Sequence, residues 1–412
     1  MRLAPALRHR DFNLYWFGVV FSQIGTRGTV AANLYQVYEL TRSTAVTGLV
    51  GLAQAVSLLV LSPLGGAYAD RLDRRRLLQA TQLISLVVAA GLATVTELGR
   101  ATTLDVLGCV LLTTAAATFD QPARQALIPA MIPRAELPQA FALLNPSREL
   151  AVLIGPALAG LFIAVHGPGL MYAADAGTYA VLVVILGLIR TPRLVGQHLP
   201  LWQSIRDGVT FVRGRPLIWL MMSLDLSATL FGAYRVVLPA LALDVLHAGP
   251  AGYGLLSAAP SAGALLATYL VFRVMARWRA VGAVLLAASA GYGVATIALA
   301  QSRWLAVSLL AGLFIGACDA MATTIRQAAV QLETPDAMRG RVSAIYQMAS
   351  RGGPALGDLD IGWLAGLMGP ATALSAGALV PIAYAGLHVI RRSRVARYGV
   401  HRDDARQESV TA

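Results

Sequence analysis

Lysine is absent: all 33 basic residues among the 412 are arginine. A Walker A loop needs lysine on its phosphates, and Schiff-base or pyridoxal chemistry needs the lysine amine. Both classes are excluded, and no nucleotide partner is expected. Charge of any kind is scarce, at 13% of residues against about 25% in an average soluble domain. Only two cysteines occur, Cys109 and Cys318, each inside an apolar run. That argues against a disulfide framework and against a thiol metal site. The six histidines are scattered without metal-ligand spacing, and neither HExxH nor a nucleophile elbow is present. No metal, no cofactor and no catalytic residue is expected.

Apolar residues make up 57% of the chain, against about 45–50% in soluble domains. A polytopic all-α membrane protein follows. The basic start (Met1 to Arg10) leads into an apolar run too long for a signal-peptide core, so it reads as a retained first span. Breaks at charged, glycine and proline residues divide the chain into twelve spans. The first six are 14–38, 45–69, 77–97, 103–127, 142–165 and 170–190. The second six are 216–240, 252–272, 280–300, 304–326, 343–367 and 371–390.

The net charge of +12 gains its meaning from position. Arg27, Arg124, Arg148, Arg235, Arg326 and Arg351 fall within spans; Arg42, Arg100 and Arg303 fall in odd-numbered loops. Of the other 24, Arg190 ends the sixth span at its cytoplasmic edge and 23 lie in the termini and even-numbered loops. By the positive-inside rule both termini are cytoplasmic. The basic residues sit in short loops and not along one face, so the lipid bilayer is the expected partner and nucleic acid is not.

A shift of 202 positions aligns the chain with itself. Arg124-Gln125-Ala126 falls on Arg326-Gln327-Ala328, and Gly155, Gly160, Gly167 and Pro168 fall on Gly357, Gly362, Gly369 and Pro370. The expected organisation is an amino-terminal six-helix half (1–190), a cytoplasmic linker (191–215), a carboxy-terminal six-helix half (216–392) and a cytoplasmic tail (393–412). Two repeats related by an axis along the membrane normal form a transporter plan with its site between them.

Between the second and third spans the chain reads Gly65-Gly66-Ala67-Tyr68-Ala69-Asp70-Arg71-Leu72-Asp73-Arg74-Arg75. Small residues at a span end allow close helix approach, and the basic cluster alone fits a positive-inside loop. The full spacing G-G-x-x-x-D-R-x-x-R-R resembles motif A of the major facilitator superfamily. That resemblance implies a cytoplasmic latch of Gly65, Gly66, Asp70, Arg71, Arg74 and Arg75, with Asp70 its carboxylate. It could meet a basic group or the amino end of the eleventh helix after Pro335. The second-half copy keeps Arg273 and Arg277 but has Phe272 at the aspartate position.

In the fifth span Gly155-Pro156-Ala157-Leu158-Ala159-Gly160 is similar to the family's antiporter motif. A bent packing helix accounts for Gly155, Pro156 and Gly160 equally well. Three longer stretches, Tyr35 to Thr41, Phe119 to Ala126 and Thr334 to Val342, resemble the bacterial exporter branch containing enterobactin exporters and drug-efflux proteins. The resemblance implies a monomeric inner-membrane protein that exports a small organic molecule, a drug-like compound or siderophore, by proton antiport with alternating access. An importer of the same fold is the alternative within transport. A membrane-embedded sensor or enzyme is the alternative from another class, and it would need a soluble domain or reactive cluster that is not seen.

A charge in hydrocarbon costs at least ~2.5–3.5 kcal/mol, so it normally faces a cavity or a partner. The cavity or coupling candidates are Arg27, Asp120, Arg124, Asp225, Asp319 and Arg326. Asp120 and Arg124 stand at i and i+4 and can pair; Asp319, Thr323 and Arg326 repeat the arrangement loosely. Protonating Asp120 or Asp319 would release its arginine to substrate or water. Arg148, Glu149, Arg351 and Arg326 lie close to the cytoplasmic edge, where structural pairing or snorkelling is expected.

Overall fold

The computed structural model describes residues 5–71, 73–189, 201–275, 281–391, 393–396 and 398. Among these residues every regular element is helical. The first six long helices are α1 (Arg10–Thr41), α2 (Thr44–Arg71), α3 (Arg74–Glu97), α4 (Thr103–Leu127), α5 (Leu137–His166) and α6 (Pro168–Leu188). They are followed by α7 (Leu201–Gly214), α8 (Pro216–Phe231), α9 (Gly249–Met275), α10 (Val281–Gln301), α11 (Leu305–Glu333), α12 (Asp336–Met368) and α13 (Pro370–Ile390).

Local chemistry sets the helix ends. Asp73 caps α3, accepting from the amides of Arg75 at 3.0 Å and Arg76 at 3.3 Å. Thr102 and Asp105 form a reciprocal capping box on α4. α5 and α12 end on Gly167 and Gly369, with φ of 90° and 87°, and Pro168 and Pro370 open the next helices. The two joints are 202 positions apart in sequence and share one backbone solution. A left-handed φ needs glycine, and proline suits the first helical turn.

Nine helices among the described residues are long and apolar enough to cross a membrane. Their outward faces carry large apolar side chains, including Val87, Val165, Val184, Val294 and Phe314, while Asp120, Asp175, Asp225 and Arg326 are buried. Apolar outside with charge inside is the pattern of a chain solvated by lipid.

The seventh span departs from the expected continuous stretch over 216–240. α8 stops at Phe231, and the chain continues through a 3₁₀ turn (Arg235–Val237), a short helical turn (Leu238–Ala240) and a π turn (Leu241–Val245). Gly232 caps α8 and Pro239 lacks a donor, so a regular ladder cannot run through. The Tyr292 hydroxyl donates to the Gly232 carbonyl at 2.8 Å, satisfying an acceptor that the break exposes. The segment expected as a linker also carries a helix, α7. Asp207 on α7 meets Arg341 at 2.9 Å, and Gly208 lies against the Arg341 carbonyl and Ile345.

The chain divides into two compact units, Met1–Leu201 with Leu238–Ala258, and Trp202–Val237 with Ala259–Ala412. In the first unit α3 packs on α6, α1 on α5 and α6, and α2 on α4, around Phe12, Tyr15, Leu78, Leu182 and Leu186. In the second, α10 packs on α11 and α13, and α12 on α8, with Met221, Leu224, Leu285 and Ile325 at the centre.

Candidate functional site

In the first unit, the α4 spacing that allows Asp120 and Arg124 to pair does bring them together. Arg124 Nε donates to Asp120 Oδ2 at 2.5 Å, and both side chains are buried. Gln82 Nε2 of α3 donates to the other carboxylate oxygen at 3.3 Å, and Ser22 Oγ of α1 donates to Gln82 Oε1 at 3.3 Å. Tyr15 donates to the Arg124 carbonyl at 2.9 Å, while Arg124 Nη1 makes no hydrogen bond. The pair is thus held from three helices and keeps one guanidinium nitrogen uncommitted.

In the second unit, Arg326 is the duplicate of Arg124 and is also buried and paired. Its carboxylate is not the one expected from sequence. Arg326 Nη2 donates to Asp225 Oδ1 of α8 at 2.5 Å and to Thr323 at 2.9 Å. Ser350 of α12 completes the site by donating to Asp225 Oδ2 at 2.7 Å. Asp319 is exposed and lies two turns from Arg326 on α11, whereas side chains on one helix meet at three or four residues. Of the two expectations for Arg326, structural pairing or snorkelling, the structure shows pairing, with only 2% of its side chain exposed. A second pair sits at the helix break, where Arg235 Nη2 meets Asp358 Oδ2 at 2.7 Å.

Arg27 is half-buried on α1, where α1 and α5 approach closely. A Cβ on Gly155 would stand 2.7 Å from Arg27 Cβ and 2.8 Å from the Gly28 nitrogen. Gly160, one turn beyond Pro156, touches Gly254 of α9; a Cβ there would be 2.5 Å from the Gly254 Cα. The antiporter-like residues therefore form the close-packed face of α5 in this unit.

Of the motif A residues, Gly65, Gly66, Asp70 and Arg71 lie in α2 with side chains outside the described set. Arg74 is half-buried and engaged. Arg75 caps the end of α6, donating to the Leu186 carbonyl at 2.5 Å and the Gly187 carbonyl at 2.7 Å. A guanidinium on terminal carbonyls satisfies orphan acceptors and complements the helix dipole.

Sequence reasoning missed the contact at the far end of α1. Tyr38 donates to Asp244 Oδ2, and Arg42 Nη1 meets Asp244 Oδ1 at 3.1 Å. Tyr253 also donates to the Ala31 carbonyl at 2.8 Å. The signal was available, because Arg42 and Asp244 are themselves one repeat apart.

Long lipid-facing helices with charge paired in their interior define a multi-pass membrane protein. Residues 2–407 match the family described as transmembrane secretion effector, and the chain belongs to that family. It is a transporter of the major facilitator type, located in the inner membrane, and not an enzyme. Among its relatives is the enterobactin exporter of Citrobacter koseri, 29% identical over 348 residues and covering 82% of each chain. An Escherichia coli enterobactin exporter is 28% identical, covering 83% of this chain and 82% of the other. The fold is shared with solved transporters. A point mutant of the nucleoside transporter NupG has a TM-score of 0.75 at 15% identity, covering 92% of this chain and 99% of the other. A D-xylose–proton symporter has a TM-score of 0.70 at 15% identity, covering 94% and 98%.

Proposed function

We propose that this transporter exports a small organic molecule, a siderophore or drug-like compound, in exchange for protons by alternating access. Twelve spans in two six-helix halves, with both termini cytoplasmic, complete the reading. The observation that carries it is the Asp120–Arg124 pair, buried and held by Gln82, with one guanidinium nitrogen left without a partner. An aspartate in that position can be neutralised by a proton, and its arginine then becomes available to water or ligand. Its counterpart in the second unit, Arg326 on Asp225, gives each repeat one charge pair to switch. The relatives named as enterobactin exporters support outward transport of a small organic molecule. With no lysine for a Walker A loop, an ion gradient is the remaining energy source, and one charge crossing 100 mV supplies about 2.3 kcal/mol.

Inverted membrane vesicles test the reading, with enterobactin and a panel of fluorescent drug-like compounds as probes. An imposed acid-inside gradient should drive accumulation of at least one probe, and a protonophore should abolish it. Asp120→Asn should weaken the gradient dependence. Accumulation only in right-side-out vesicles would instead establish an importer.

A further inference from the structure

Asp175 is a fully buried carboxyl on α6 that the scheme above leaves unused. Thr178 shares its hydroxyl proton between the Asp175 carbonyl, at 2.7 Å, and Oδ1, at 3.2 Å. Thr29 of α1 and Tyr179 face the same carboxyl, yet Oδ2 and Thr29 Oγ1 complete no hydrogen bond. Gly25 of α1 makes the room, since a Cβ there would overlap Oδ1 and come within 2.6 Å of Thr178 Oγ1. The titratable neighbours are Cys109 of α4 and Tyr179, which carry no charge at neutral pH in their ordinary states. α3 presents Leu86, Ala89 and Ala90 to this part of α6. No ion pair is made to Asp175 among the described residues. A buried carboxylate with no cation beside it lacks the partner that would offset its charge, and a proton can be that partner.

The site is connected. Tyr179 OH and Thr26 Oγ1 are 2.9 Å apart, and either can donate. Thr26 lies one turn from Ser22 and bonds back to its carbonyl at 2.9 Å. Ser22 donates to Gln82, and Gln82 donates to Asp120, each at 3.3 Å. Hydrogen bonds therefore run from Tyr179, which faces Asp175, to Thr26 and the Ser22 carbonyl, and from the Ser22 hydroxyl through Gln82 to the Asp120–Arg124 pair, across α6, α1, α3 and α4.

We propose that Asp175 holds the exchanged proton and that Tyr179, Thr26, Ser22 and Gln82 pass its change of charge to Asp120 and Arg124. The inference rests on the proton-driven export proposed above and moves the loading carboxyl from Asp120 to Asp175, with the Asp120–Arg124 pair responding to it. The proton adds to Oδ2 from water on one side of the membrane and leaves that oxygen for water on the other. No other bond forms or breaks. When Asp175 ionises, Tyr179 can turn its proton toward the carboxylate and accept from Thr26, reversing the first link of the chain.

Infrared spectroscopy of the full chain in liposomes reads the proton directly, without substrate. The wild type should show a protonated-carboxyl stretch that shifts in heavy water and fades as pH rises. That band should be lost in Asp175→Asn and kept in Asp120→Asn; an unchanged band in Asp175→Asn would overturn the proposal. Tyr179→Phe should keep the band and lose gradient-driven accumulation in the inverted vesicles. Full stimulation in Tyr179→Phe would overturn the relay. Wild-type vesicles that ignore the gradient would defeat the antiport reading. A wild type that responds, beside an Asp175→Asn variant that responds equally, would defeat this inference alone.

Discussion

Arg42 and Asp244 stand one repeat apart, 202 residues, and meet in a 3.1 Å ion pair at the end of α1. One repeat position therefore carries opposite charges in its two copies, and the copies bind each other. The pair is open to solvent, with side chains 59% and 47% exposed, whereas Tyr38, the other partner of Asp244, is buried.

The magnitudes separate the two contacts. An exposed ion pair is worth about 0.2–1 kcal/mol, while a hydrogen bond to a charged group is worth about 1.5–3 kcal/mol. Tyr38→Phe should therefore destabilise the protein more than Arg42→Gln does, as measured by thermal unfolding in detergent. Raising the salt concentration should shrink the Arg42→Gln effect and leave most of the Tyr38→Phe effect. Equal losses that vanish together in salt would place the whole contact at the surface.

Glycine positions give a second contrast. Gly160→Ala puts a methyl group against the Gly254 backbone, and such overpacking typically costs about 1–3 kcal/mol. Gly177→Ala on α6 meets open space and should be neutral, or gain up to ~1 kcal/mol of helix propensity. Thermal stability of the two variants side by side decides this; a harmless Gly160→Ala would show that α5 and α9 separate readily at this point.

How far the sequence could be read depended on the range of each interaction. Asp120–Arg124 was legible because i,i+4 is fixed by helix geometry. The Gly167–Pro168 joint repeats as Gly369–Pro370 because both left-handed φ and a helix start restrict the residue choice. Asp225–Arg326 and Arg235–Asp358 span 101 and 123 residues, so their pairing is set by how α8, α11 and α12 pack, and periodicity carries no trace of it. The break after Phe231 was hidden for a similar reason: an apolar run reads as one span until packing shows where the ladder ends. α7 reads as linker in the sequence because its charges, Arg206, Asp207 and Arg213, obscure a face that buries Val212.

Topology follows from the arginine distribution. Reporter fusions after Arg76, Gln203 and Arg341 should report cytoplasm, and fusions after Thr44, Arg100 and Ala248 should report the outside. An external signal at Gln203 would break the six-plus-six arrangement. In the same background, Asp70→Asn should insert normally, because the change is isosteric at a membrane edge. It should slow transport if Asp70 steadies one end state; unchanged rates would reduce the motif to a topology signal.

The buried pairs carry the sharpest energetic test. Arg326 and Asp225 are sealed from solvent, and Ser350 and Thr323 are oriented on them. Removing one member of such a pair leaves an uncompensated charge and typically costs about 3–5 kcal/mol, whereas replacing both by apolar groups of similar volume is often neutral. Arg326→Met or Asp225→Leu alone should therefore lower detergent-extracted yield and thermal stability sharply, and the double variant should recover most of the loss. The same cycle on Asp120 and Arg124 should behave alike for folding. Function separates the two purposes of a pair. If the double variants regain stability but lose gradient-driven accumulation in inverted vesicles, the charges serve transport. If accumulation returns together with stability, the pairs are structural, and the proton-coupled reading of Asp120 falls.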